Sequence, residues 1–116
     1  IGILSTLVIA NLNSARERAR DAQRKSDFRN ILTALRIYYN DNGKYPATLN
    51  TWGSPWVNGT ITYMNTLPAD PLPSQSYSYA YINDDDFTLK TCLENKSDDK
   101  CTPVASTILC QYVVKP

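Results

Sequence analysis

The sequence predicts an α+β fold: one long protruding N-terminal α-helix packed on a C-terminal antiparallel β-sheet of three to four strands. Three observations carry this. Phe28, Ile31, Leu32, Leu35, Tyr38 and Tyr39 fall at helical spacing and form one apolar stripe. The stripe stops at "NDNG", where Asn42 or Gly43 can take the left-handed C-cap, and Pro46 forbids resumption. The last third then alternates with period two, as strands do.

The helix is predicted from about Ser5 to Tyr39. A helix from near Ile1 to Tyr39 would be roughly 58 Å long at ~1.5 Å per residue. A chain of 116 residues folds to a globule with a radius of gyration of about 13 Å. The helix must therefore leave its own domain. This divides the chain into 1–27, a protruding half that runs from apolar to charged, and 28–116, a globular head. The head comprises the second half of the helix, a loop region 40–76 and a sheet 77–116.

The protruding half changes character along its length. Ile1, Ile3, Leu4, Leu7, Val8, Ile9 and Leu12 make an apolar run. It is too short to span a membrane alone, which takes ~20 apolar residues. It reads either as the end of a core helix or as the back half of a longer apolar helix. With no partner within the head's reach, it must bury itself in lipid or in neighbouring subunits. Past it, Val8, Leu12, Ala15, Ala19, Ala22 and Ser26 recur at heptad-like spacing. They form a narrow small-residue seam among Arg16, Glu17, Arg18, Arg20, Asp21, Arg24 and Lys25. Such a seam suits close helix–helix contact; equally, the alanines can serve helix propensity on a solvated surface.

Residues 44–76 hold most of the prolines and read as loop, with one helical turn at "TYMNTL". Trp52 and Trp56 either cover a helix or sheet edge or present a ligand face. In "YSYAYI", Tyr77, Tyr79 and Tyr81 alternate; "NDDD" is a turn. Phe87, Leu89, Thr91 and Leu93 share one strand face, as do Ile108, Cys110, Tyr112 and Val114. Cys92 then points away from the core and Cys110 into it. Cys101 sits in the polar loop "ENKSDDKCTP" and can fold back, so the expected bridge is Cys92–Cys101, with Cys110 a buried thiol.

The chemistry of catalysis is missing. The chain has no histidine, which removes the commonest general base and transition-metal ligand. No glycine-rich phosphate loop and no CxxC occurs. Asp84, Asp85 and Asp86, with Asp98 and Asp99, lack the spaced pattern of a calcium loop and read as solvated turns. The "NGT" at Asn58 and "NKS" at Asn95 match the glycosylation sequon but carry little weight. Net charge is +1, so no general attraction to nucleic acid follows. No catalytic residue, metal ligand or cofactor is expected.

The run "IGILSTLVIANLNSARERARDAQRKSDFRNILTALRIYYNDNGKYP", with its double Tyr, its "NGKYP" exit and the later "LPADP" turn, closely resembles the N-terminal helix of type IV pilins and of type II secretion pseudopilins. The match is specific over residues 1–46 and topological beyond. The resemblance implies a leader removed by a prepilin peptidase, N-methylation of the new first residue, and further mature residues, including an assembly glutamate, before Ile1. Relatives often carry proline where Ala10 stands, so a break here would depend on Gly2, Ser5 and Thr6.

The resemblance implies a type IV pilin-like fold and a structural subunit, not an enzyme. The expected role is that of a major pilin in an extracellular filament at the bacterial surface, serving adhesion, motility or DNA uptake. Its partners would be identical copies, the inner membrane before assembly, and the pilus or secretion machinery, with nucleic acid only in a competence pilus. The assembly residues would be Ile1, Ile3, Leu4, Leu7, Val8, Ile9, Leu12, Ala15, Ala19 and Ala22. Two alternatives stand beside it: a major pseudopilin of a short periplasmic piston, holding calcium as such proteins typically do, and a membrane-anchored module whose tryptophan loops bind a ligand.

Overall fold

The computed structural model describes residues 2–98, 102–104 and 107–116; side chains are described for 12–98 and 110–116. Ile1 and Cys101 lie outside the described residues, as do the side chains of Ile3, Leu4, Leu7, Val8 and Ile9. One helix, α1, runs Gly2–Asn42. It extends a turn or less beyond the expected bounds at each end. Its stop uses the expected chemistry. Gly43 takes φ 72°, and its N–H donates to the Tyr39 carbonyl at 2.7 Å, a left-handed cap that a Cβ would disfavour. The Asn42 amide adds a bond to the Tyr38 carbonyl at 3.0 Å.

Among the described residues six strands follow: β1 Trp56–Asn58, β2 Ile61–Met64, β3 Ser78–Asn83, β4 Asp86–Leu93, β5 Thr102–Val104 and β6 Thr107–Val114. β1 and β2 pair as a hairpin, and the other four form an antiparallel sheet in the order β3-β4-β6-β5. The helical turn expected at "TYMNTL" is corrected: Ile61–Met64 is a strand. Asn58 pairs with Ile61 across Gly59–Thr60, and Gly59 has φ 64°. A glycine at the first central position of a two-residue turn is a hairpin signal. That turn chemistry outweighs the weak helical spacing of so short a segment.

The core lies where the stripe predicted. Phe28, Ile31 and Leu35 are fully buried, with Leu32, Tyr38 and Tyr39 partly so. On β4, Phe87, Leu89, Thr91 and Leu93 are buried, and Thr88, Lys90 and Cys92 face the other way, half-buried; Glu94, just past the strand end, turns back to α1. Phe28 meets Tyr77 edge-on at 5.0 Å and stacks on Tyr112 at 5.5 Å. Both tryptophans join this core. Trp56 stacks on Tyr38 at 5.6 Å and is 2% exposed, and Trp52 meets Tyr77 at 5.7 Å. The chain measures 61 × 32 × 20 Å with a radius of gyration of 17.0 Å, well above the ~13 Å of a compact chain this long.

The disulfide expectation is overturned. Cys92 is a free thiol and Cys110 is disulfide-bonded. The face assignments hold, since Cys92 is half-buried on the outer face and Cys110 is buried at 1% exposure. What failed is the assumption that a nearby loop folds back on β4. β5 pairs with β6, placing Pro103 opposite Cys110, and β6 stands between β5 and β4. The chain around β5 is thus brought to Cys110, not to Cys92. Non-reducing peptide mapping is expected to recover Cys110 in a linked peptide and Cys92 alkylated without reductant. A bridge containing Cys92 would contradict this register.

Candidate assembly surface and the clamp behind it

Extending the phase of the apolar stripe backwards from Leu35, Ile31 and Phe28 lands on Arg24 and Asp21. These are charged, yet Arg24 is fully buried, Asp21 is 2% exposed and Asp27 is 5% exposed. The alanine seam is the side left out: Ala15, Ala19 and Ala22 are exposed, and so is Leu12 at 47%. The reading of the charged block as a solvated surface is therefore corrected for Asp21 and Arg24, and Asp27 beyond it is buried as well. The head boundary moves with it. Contact between described side chains of α1 and the rest of the chain begins at Arg20, not at residue 28.

Arg24 sits at the centre of a five-residue ionic cluster. Its guanidinium forks onto Asp70, with Nε to Oδ2 at 3.0 Å and Nη2 to Oδ1 at 2.9 Å. Nη1 donates to Asp21 Oδ1 at 2.7 Å and to Glu94 Oε2 at 2.9 Å. Arg20 makes a second fork, onto both oxygens of Glu94 at 2.6 Å each. Forks of this kind are the strong form of charge-assisted bonding. The carboxylates are also tied to backbone. Asp21 accepts from the Glu94 and Asn95 N–H groups at 2.9 and 2.8 Å. Asp70 accepts from the Leu72 N–H at 2.9 Å, the turn that "LPADP" encodes. Two cations face three anions, so the cluster carries one net negative charge. On either side, Lys25 pairs with Asp98 at 2.6 Å, and Asp27 accepts from Tyr77 Oη at 2.7 Å and Gln23 at 2.7 Å. Together these bonds join α1 to the Asp70 turn, the end of β4 and Tyr77.

The electrostatics follow from this geometry. Burial works against the charged form of Arg24, but its bonds to Asp70, Glu94 and Asp21 outweigh that and raise its pKa. The Arg20 fork, supported by Arg24, holds the Glu94 carboxyl below its ordinary value. Burial, then the bond to Asp27, raises the Tyr77 phenol. A depressed carboxyl stabilises the fold above its unfolded value of about 4.3 and loses that contribution as pH falls through the folded value. Thermal stability is thus expected to drop on acidification below about pH 4. Melting temperature against pH would check it, with Glu94→Gln flattening the acid limb.

Other candidate groups are otherwise engaged. Asp84 accepts a bond from Tyr81 and Asp85 from Tyr39, so these acids cap tyrosines of the sheet and helix. Among the described residues, no group of three or more His, Cys, Asp or Glu is arranged to hold a metal; Asp99 lies outside them. Trp56 is buried against Tyr38 and Tyr63. Among the described residues, no helix is long and apolar enough to cross a membrane. Among the described residues, the first side-chain bond from α1 to the rest of the chain is made at Arg20, and every side chain from Leu12 to Ala19 is exposed. Comparison with protein-family models, with curated proteins and with solved structures finds no match.

Proposed function

We propose that the chain is a filament subunit of the type IV pilin kind, with its long helix as the assembly element and its head on the outside. The observation that carries this reading is that every described side chain of α1 before Arg20, from Leu12 to Ala19, is exposed while the helix itself continues to Gly2. From Gly2 to Arg20 the helix runs on for about 27 Å at ~1.5 Å per residue. Its sequence there turns from charged to apolar. Six large aliphatic residues lie in that stretch, Ile3, Leu4, Leu7, Val8, Ile9 and Leu12, and burying each is worth roughly 1.5–3 kcal/mol. Exposed ion pairs contribute only ~0–1 kcal/mol each. Aliphatic burial in neighbouring helices therefore outweighs any contact among polar heads. Lipid would serve that burial before assembly. Arg16, Glu17 and Arg18 remain exposed to tune the register between copies; Asp21 and Arg24 are spent within the subunit.

A chain beginning at Ala15 is expected to be a soluble, folded monomer that forms no filaments. In the full chain, Leu4→Asp or Val8→Asp is expected to block assembly and leave the melting temperature of the head unchanged. Electron microscopy of sheared surface material, alongside calorimetry, reads both. Filaments grown from the shortened chain would remove the helix from this role. The pseudopilin reading rests on the "LPADP" turn, whose Asp70 sits at the centre of the clamp. Short periplasmic assemblies with stoichiometric calcium would favour it over a surface pilus.

A further inference from the structure

The four-stranded sheet has two unlike edges. β5 ends it on one side with three residues, one of them Pro103. Proline has no N–H to donate, which blunts an edge. β3 ends it on the other side with six residues, Ser78–Asn83. That segment carries no charge, no proline and no glycine. All of it but Tyr79 is exposed, with Ile82 at 51% and Tyr81 at 39%. Among the described residues, no backbone bond joins β3 to any segment but β4. The one irregularity in its pairing lies at the turn end, between Tyr81 and Asn83. A regular edge left open in this way presents a row of N–H and C=O groups to a further strand.

Charge is laid along this edge with opposite signs at its two ends. Asp84, Asp85 and Asp86 follow the last residue of β3. Ser78, at the other end, stands opposite Lys90, which makes no ion pair among the described residues. A second β3 laid antiparallel brings the Lys90 end of each copy to the acidic turn of the other. Laid parallel, it sets one acidic turn beside the other. The blunted β5 edge is a poor partner, so the complementary contact is β3 on β3. Such a contact uses the same patch on both copies and closes on itself.

We propose that β3 is a docking edge for β3 of a second copy, paired antiparallel so that the two sheets become one. With both core faces on the same side of that sheet and Ala80 on the two-fold axis, Tyr79 of each copy faces Tyr81 of the other. Ser78 then faces Ile82. A contact of six residues a side falls short of the ~1,000 Å² of a stable interface. The dilute chain therefore stays monomeric, and pairing sets in as heads are concentrated or held in rows. A two-fold contact cannot close between neighbours in one polar filament. On the filament reading it joins heads of separate filaments, and only that step rests on the reading.

The full-length chain in mild detergent, which covers its apolar run, is followed by amide hydrogen exchange as it is concentrated. Exchange across 78–83 is expected to slow with concentration, while the β1–β2 hairpin is unchanged. Ala80→Lys sets two cations opposite each other on the axis and should abolish the slowing. Lys90→Glu should weaken pairing by about fivefold, the loss of two exposed charge contacts. Asp84→Lys combined with Asp86→Lys should do the same. Mixed together, these last two chains are complementary at both ends, so the mixture should recover what each lacks alone. All of these positions are at the surface or half-buried, and each variant should keep the parent urea midpoint. Slowing that survives Ala80→Lys, a mixture no better than its parts, or no slowing at any concentration would overturn the proposal. So would equal slowing by an unrelated peptide of alternating Thr and Val, which would make β3 an edge for any extended chain. None of these outcomes bears on whether α1 builds filaments, which the shortened chain tests.

Discussion

Arg24→Met is expected to destabilise the head by about 3–5 kcal/mol, the cost of removing one partner from a buried ion pair. Methionine keeps much of the stem's volume, so the loss is mainly of charge and hydrogen bonds. It strands Asp70, whose side chain is fully buried, and Asp21, whose side chain is 3% exposed. Their backbone and Thr91 bonds persist, but no cation remains between them. Arg24→Lys should recover only part of the loss. A lysine ammonium lacks the planar fork that serves Asp70, Asp21 and Glu94 together. Asp70→Asn should cost less than either, because the cluster already carries an excess negative charge and the amide oxygen can still accept from Leu72. Urea denaturation of the four chains checks this order. A loss below about 1 kcal/mol for Arg24→Met, the range of solvated pairs, would show that water reaches the cluster.

Leu35→Ala is expected to cost roughly 2–5 kcal/mol, the transfer term plus the cavity left behind. Leu35 is fully buried on the same stripe as Ile31 and Phe28. The wall around that stripe is stiff. Phe28 is in ring contact with Tyr77 and Tyr112, and Tyr45 with Phe87. Such a wall collapses poorly around a cavity, which favours the upper half of the range. Two residues along the same helix, Ile37 is 49% exposed, so Ile37→Ala serves as a control with little loss. Similar midpoints for the two variants would mean that the packing face is misassigned.

The apolar stripe, the glycine cap and the strand faces were legible in the sequence because each follows from local periodicity or backbone chemistry. Phe28, Leu35, Gly43 and the alternation along β4 stand where periodicity places them. What escaped was set by pairings distant in the chain. Arg24 and Asp21 look like surface residues because a hydrophobic stripe is sought among apolar side chains only, and their partners Asp70 and Glu94 lie 46 and 70 residues from Arg24. The one local trace was phase, since both continue the stripe of Phe28, Ile31 and Leu35. Cys92 and Cys110 were misassigned for the same reason. Side-chain faces were right, but the sheet order that sets β6 between β4 and β5 carries no local signature. The β1–β2 hairpin is hard to read because its short signal, the Gly59–Thr60 turn between Asn58 and Ile61, lies amid proline-rich loop.

The ionic cluster is also a fulcrum. No proline or glycine interrupts α1 between Gly2 and its end, so the part before Arg20 and the clamped half move as one rod. A tilt of one degree at Arg20 displaces the far end by about 0.5 Å over the arm's ~27 Å. A helix tip that had to enter a gap between neighbours would tolerate only a few degrees of such error. Bidentate arginines, which resist rotation as well as separation, suit that task better than a greasy contact on which a rod can roll. In the proposed filament, the aim of each subunit would thus be set inside its own head before any neighbour is met.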